Sequence, residues 1–321
     1  MKQTMKKILC IGEALIDMIC TDKGKPLSAG EHFLKKPGGA PTNVAAAIAA
    51  LGGDVDLAAK VGVDPFGTFL IDEMKSFAVN TNYMLQDKNS FTTFAFVSLM
   101  ENGERDFYFN RGADAALTKE EVDAIDLSAY SIVHFGSATA FLPGPLQQAY
   151  ISLLSRSLDN NCMVSFDPNY RQLLFADNIP SFSIQSWHFL RSCQFFKVSD
   201  EEAFMLTNTT TVQEAADYFL QNTTSVFAIT LGKEGTLLGH NGTTHLIESI
   251  PVQPVDTTGA GDAFVGAVLY QLRNYSMSEI NELTVDQWKQ IIINGNKAGA
   301  RTCEYMGAME AFRHLSNDIF K

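Results

Sequence analysis

Short apolar runs alternate with longer stretches of helical period along almost the whole chain, and few architectures accommodate that order. Residues 8–11, 55–61, 132–135, 163–167, 195–199 and 226–231 are rich in Ile, Val and Phe, as strands of a covered sheet should be. Between and after them, residues 42–51, 66–77, 146–159, 212–222, 262–273 and 285–305 read as helices. This rhythm predicts an α/β fold with a mostly parallel sheet covered by helices. A chain of 321 residues, 46% of them hydrophobic, can bury a large core without disulfides or a structural metal. No fixed-period repeat or low-complexity tract interrupts the order.

One region departs from it. Residues 91–100 and 105–110 are aromatic-rich strand-like runs joined by Glu101-Asn102-Gly103-Glu104, and Asn-Gly between strands is a strong hairpin signal. A second pair of runs, 18–21 and 32–36, flanks a loop with Gly24, Pro26 and Gly30. Two ribbons set into an α/β body predict a small sheet standing off the main domain; on pattern alone, an ordinary edge hairpin is the alternative.

Charge and cysteine content exclude several functions. Lys and Arg number 24 against 36 Asp and Glu, a formal charge of -12, which repels nucleic acid and anionic membrane surfaces. Cys10, Cys20, Cys162, Cys193 and Cys303 are scattered, with no Cys-x-x-Cys pair, so neither a disulfide framework nor a zinc site is expected and a reducing cytoplasm suits the chain. Glu13 and Asp17 interrupt the first apolar run, which therefore reads as a strand and not as a leader. No run reaches the length of a membrane helix.

The chemistry concentrates in Pro254-Val255-Asp256-Thr257-Thr258-Gly259-Ala260-Gly261-Asp262, which leads straight into an apolar helix. Small residues at a helix N-terminus leave backbone N–H groups uncovered where the helix dipole also favours negative charge, which makes a nest for a phosphate. Asp262 in the first turn would sit beside that anion, placed to accept a proton from an attacking hydroxyl. Taken alone, Gly-x-Gly-Asp before a helix is more often a tight turn with a cap.

The wider context points the other way. Gly259-Ala260-Gly261-Asp262 after Asp256-Thr257-Thr258 resembles the C-terminal signature of the ribokinase-like (PfkB) carbohydrate kinases, and Gly38-Gly39-Ala40-Pro41-Thr42-Asn43 with Gly52 and Gly62 resembles their N-terminal one. Gly12-Glu13, Asp17 and the stretch from Val61 to Gly67 extend the match over essentially the whole chain. The resemblance implies a three-layer sandwich with a mostly parallel central sheet and a small β-sheet lid: residues 1–16, 37–88 and 116–321 as catalytic body, 17–36 and 89–115 as lid. It implies Asp262 as catalytic base and the amides of Gly259, Ala260 and Gly261 as anion hole. A loose phosphoryl-transfer transition state asks mainly for alignment and charge neutralisation, so a carboxylate of ordinary, low pKa is expected to suffice.

By the same resemblance Asp17, Gly38, Gly39 and Asn43 would bind the acceptor sugar. Arg111 and Arg171 are candidates for gripping either a substrate oxygen or nucleotide phosphates, with a surface ion pair as the alternative for both. Lys197, Glu202, Thr230, Gly232, Gly235 and Asn296 are expected on the ATP side. Glu202 would order the water shell of Mg²⁺, although Ser199 stands where the family's N-x-x-E motif has Asn. A monovalent cation, K⁺, is expected in the loop of Asp256 and Thr258, with the segment around Gly307 as the other wall. Glu13-Ala14-Leu15-Ile16-Asp17, Phe166-Asp167-Pro168-Asn169-Tyr170-Arg171 and Lys197-Val198-Ser199-Asp200-Glu201-Glu202 look most like bacterial fructokinases. That implies D-fructose phosphorylated at its 6-hydroxyl and a homodimer formed through the lid. A 2-keto-3-deoxygluconate kinase is the nearest rival, because Arg105, Arg111 and Arg171 could meet its carboxylate; a silent sugar-binding regulator is the alternative of another class. A dinucleotide oxidoreductase would need a G-x-G-x-x-G after the first strand, and Ile11-Gly12-Glu13-Ala14 does not supply one.

Overall fold

The computed structural model describes residues 7–101 and 105–321. The Asn102-Gly103 turn lies outside the described residues. In chain order the elements are β1 (Lys7–Ile11), β2 (Leu15–Cys20), β3 (Phe33–Gly38), α1 (Ala40–Ala50), β4 (Val55–Gly62), α2 (Pro65–Ser76), β5 (Met84–Asp87), β6 (Thr93–Leu99), β7 (Arg105–Asn110), α3 (Lys119–Asp123), β8 (Tyr130–Phe135) and α4 (Pro145–Asp159). They continue with β9 (Met163–Phe166), α5 (Gln172–Phe175), α6 (Ile179–Leu190), β10 (Phe195–Ser199), α7 (Asp200–Thr207), α8 (Val212–Asn222), β11 (Val226–Thr230), β12 (Thr236–His240), β13 (Thr243–Ile247), α9 (Ala260–Leu272), α10 (Met277–Glu282), α11 (Val285–Cys303) and α12 (Ala308–Phe312).

Among the described residues nine strands form one sheet in the order β13-β12-β11-β10-β9-β8-β1-β4-β5. Every pairing from β11 to β5 is parallel, while β12, near one edge, pairs antiparallel with both β11 and β13. Side chains alternate across the pleat, so Ile8 and Cys10 join a core with α1, α9, α11 and α12, while Leu9 and Ile11 join one with α4, α6, α7 and α8. The result is a three-layer sandwich. Its strands carry their C-terminal ends to one rim, where open α/β sheets hold their ligands.

The second sheet has four strands in the order β3-β2-β6-β7. The two ribbons fuse because β2 pairs parallel with β6, Leu15 opposite Thr93. One face packs on α2, where Phe94 meets Phe66 edge-on at 4.8 Å between centroids and Lys35 lies over the Phe69 ring at 3.5 Å. The pleat turns Leu15, Asp17 and Ile19 to the other face. Asp64, the N-cap of α2, also accepts hydrogen bonds from Thr92 N at 2.8 Å and Thr92 Oγ1, which ties the start of β6 to the body.

Candidate active site

Gly259 caps the N-terminus of α9 at φ +82°, and a Cβ there would overlap the Ala308 methyl, so the turn needs glycine. The Ala260 N–H already donates to the Thr257 carbonyl at 3.2 Å, whereas the amides of Gly259 and Gly261 find no backbone acceptor among the described residues. The loop is braced from behind. Asp256 accepts from Thr258 N at 3.0 Å, from Thr258 Oγ1 at 2.7 Å and from Gly307 N at 2.8 Å, which joins it to the start of α12.

Asp262 follows in the first turn of α9, and Asn43, in the first turn of α1, donates its amide to Asp262 Oδ2 at 2.8 Å. Two segments distant in sequence therefore meet at one carboxylate. That carboxylate departs from the ordinary low pKa expected of a helix-start aspartate: desolvation in the cleft pushes it up to about 6, against the opposing Asn43 hydrogen bond. Asp167 adds to the rise, while Lys197 and Arg171 counter it. The residue keeps some surface in the cleft, but the acid group itself lies deep.

Asp17 on β2 faces the same region, with Gly38 packed so closely that a Cβ there would overlap its Oδ2. Burial raises Asp17 to about 6 as well, opposed by the charge of Arg171. Arg171 thus acts on both carboxylates while remaining exposed. Arg111 is committed elsewhere: it donates to Asp114 Oδ2 at 3.3 Å, to the Pro143 carbonyl at 2.8 Å and to that of Thr139 at 3.1 Å. Asp114 in turn accepts from Thr93 on β6 and from Thr139 Oγ1 at 2.8 Å, so Arg111 belongs to a network joining the two sheets.

Glu13, which is 1% exposed, organises the floor. Its Oε1 accepts from Ala40 N at 3.1 Å, its Oε2 accepts from Ser137, and its carbonyl accepts from Thr42 Oγ1 at 2.9 Å. This holds the N-terminus of α1 and with it Asn43. Asn43 Oδ1 is buried with no hydrogen-bond partner among the described residues, an acceptor in want of a donor. Gly39 at φ +106° lies so close to the Glu13 carbonyl that any side chain would collide.

On the other side of the loop is a cleft of about 540 Å³. Thr230, Gly232, Gly235 and Asn296 all line it, together with Ala260 and Gly261. Asn296 is a wall and not a free ligand group: its Oδ1 accepts from Thr236 Oγ1 at 2.7 Å and its Nδ2 donates to the Glu248 carbonyl at 3.1 Å. The apolar walls Ile250, Val252 and Phe264 carry no sequence signal beyond their place around the loop. Lys197 on β10 bridges the two regions, with Nζ 3.1 Å from Asp167 Oδ2 and 3.3 Å from the point a Cβ on Gly261 would occupy. Burial pulls its pKa down, but Asp167, Glu202 and Asp262 outweigh that and hold it raised, so the ammonium stays charged.

Glu202 has a structural duty. Ser199 and Glu202 form a capping box at the start of α7, and Glu202 also accepts from Tyr170 N at 2.7 Å and Ser199 N at 2.8 Å. Ser199 serves here as the N-cap of α7. The helix α7 was missed from sequence, although Ser-x-x-Glu before it is a capping-box signal that could have found it.

Comparison with known proteins agrees with this architecture. The profile of the pfkB family of carbohydrate kinases matches residues 5–314. The chain is 34% identical over 316 residues to the probable chloroplastic fructokinase-6 of Arabidopsis thaliana, covering 95% of this chain and 79% of that protein. It is 33% identical to fructokinase-1 of Zea mays, covering 83% and 82%. Among solved structures, the fructokinase from Xylella fastidiosa with bound ATP superposes with a TM-score of 0.86 at 28% identity, covering 99% of this chain and 97% of that one. The fructokinase from Vibrio cholerae O395 with fructose, ADP and calcium ion gives 0.83 at 28% identity, covering 99% and 98%.

Proposed function

Because the chain belongs to the pfkB family of carbohydrate kinases, we propose that it transfers the γ-phosphoryl group of ATP to the 6-hydroxyl of D-fructose, with Asp262 as the base. The observation that carries this is the meeting of Asp262, the open amides of Gly259 and Gly261, and Asn43 with its unpartnered Oδ1. A sugar hydroxyl supplies the donor that Asn43 Oδ1 lacks, and Asp17 takes further hydroxyls beside Gly38 and Gly39. Asp262 then holds the 6-hydroxyl in line and receives its proton as the new O–P bond forms and the bond to the leaving ADP breaks. The Gly259, Ala260 and Gly261 loop and the α9 N-terminus accept the charge on the group in transfer, and buried Lys197 adds a fixed positive charge.

The nucleotide occupies the 540 Å³ cleft between Thr230, Gly232, Gly235 and Asn296. Magnesium supplies charge neutralisation on the phosphate oxygens when bound. The protein fits that role through water: no group of three acidic, His or Cys side chains gathers into a metal cage among the described residues, and each Glu202 oxygen keeps a lone pair beyond its amide bond. Asp256 and Thr258 with the Gly307 segment are the seat proposed for K⁺.

Fructose is favoured over 2-keto-3-deoxygluconate because curated relatives at 33–34% identity are fructokinases, and because Arg111, one of the arginines that could meet a carboxylate, is occupied by Asp114 and two carbonyls. The small sheet is proposed to act as a lid, and its exposed Ile19, Leu34 and Leu99, which share one face, as the pairing surface of a cytoplasmic homodimer. ADP release measured across fructose, 2-keto-3-deoxygluconate, ribose, tagatose and adenosine tests the reading, with the product identified by NMR and the protein's mass by light scattering. Fructose 6-phosphate as main product is expected; faster turnover of another acceptor, or phosphate on another hydroxyl, overturns it.

A further inference from the structure

Lys35 and Lys36 are consecutive on β3, so the pleat sends them to opposite faces of the small sheet. Lys35 is used up against the body, over the rings of Phe69 and Phe66. Lys36 stands opposite Asp17 in the β2–β3 register and shares its face, the one turned to the sugar region. An edge-strand lysine that only guards against strand pairing would extend into water. Lys36 instead is half-buried, and its Nζ reaches to 4.0 Å from the point a Cβ on Gly307 would occupy.

That endpoint matters because of what Gly307 touches. Its N–H is held by Asp256, and the next residue, Ala308, abuts Gly259, so the ammonium stands beside the loop that caps α9. No carboxylate pairs with it among the described residues, although most cations around the site are committed: Lys197 to Asp167, Arg111 to Asp114. A half-buried unpaired cation between a sugar-facing aspartate and an amide nest is placed for an anion.

We propose that Lys36 is a further catalytic residue, a cation on the small sheet that contacts the phosphoryl group as it passes to the sugar. This rests on the kinase reading above and adds to the loop's neutral amides a charge that the ternary complex alone brings into contact. The test compares Lys36→Met and Lys36→Arg with wild type for fructose turnover, and measures binding of ADP and of a non-hydrolysable ATP analogue, used in place of ATP, by calorimetry in the presence of fructose. Lys36→Met is expected to lose about 10- to 100-fold in kcat with a nearly unchanged KM for fructose. Binding of the ATP analogue should weaken while ADP binding holds, and Lys36→Arg should recover most of the rate. A Lys36→Met kcat within twofold of wild type, an equal loss for ATP and ADP, or a defect confined to the fructose KM overturns the inference. If wild type itself fails on fructose, the function reading falls instead, and the ATP-against-ADP contrast in Lys36→Met still decides this one.

Discussion

Asp262 and Asp17 are each raised to about 6 chiefly by loss of solvent. A carboxyl raised in this way is neutral below that pH, where it can neither accept the hydroxyl proton nor hold a sugar hydroxyl as an anion. Activity should therefore fall as pH drops through about 6 and stay level just above it, read as kcat/KM against pH at saturating ATP; an acid limb near 4 would show that the cleft does not perturb these groups. The place of Asp262 was legible in Gly259-Ala260-Gly261-Asp262, but its acidity was not. Burial sets it, and the groups that modulate it, Asn43, Asp167 and Lys197, come from three other segments that only the fold brings around one carboxylate.

At the scale of elements, the loop before α9 depends on backbone geometry more than on any side chain. Gly259→Ala should cost about 1–3 kcal/mol of stability, because the left-handed conformation is strained for alanine and the added methyl meets Ala308. Its kcat should fall further than its melting temperature alone explains; a variant with wild-type melting and turnover would show that the turn tolerates a side chain. The parallel strands β1, β4, β8, β9, β10 and β11 were legible because Ile, Val and Phe run together where both faces are covered; β5, four residues ending in Gln86-Asp87, was missed. The hairpin of β12 and β13 was missed, since Gly239, Thr243 and Thr244 dilute its apolar signal, although Asn241-Gly242 between the strands marks the turn. The missed α6 begins at Ile179 with Pro180 in its first turn and buries Phe182, Phe189 and Leu190 on a single face.

For the whole molecule, a charge of -12 and a polyanionic co-substrate are compatible because the positive potential is local. It comes from amides at the α9 N-terminus, from buried Lys197 and from Arg171, all on the rim where the parallel strands end. The two sheets are joined by polar contacts, the buried Thr93 to Asp114 to Thr139 and the part-buried Asp64 to Thr92, which fix where Asp17 sits over the body. The parallel pairing of β2 with β6 that makes this possible has no local sequence mark, since it joins strands more than seventy residues apart. The central claim, that one carboxylate at the foot of α9 drives transfer to the sugar, is tested most directly by the turnover of Asp262→Asn. Because burial disfavours the ionised acid, this variant should melt no lower than wild type at pH 7.5 and bind ATP normally, while its kcat falls by about 10²- to 10⁴-fold. A folded Asp262→Asn protein with a kcat within tenfold of wild type would contradict the account.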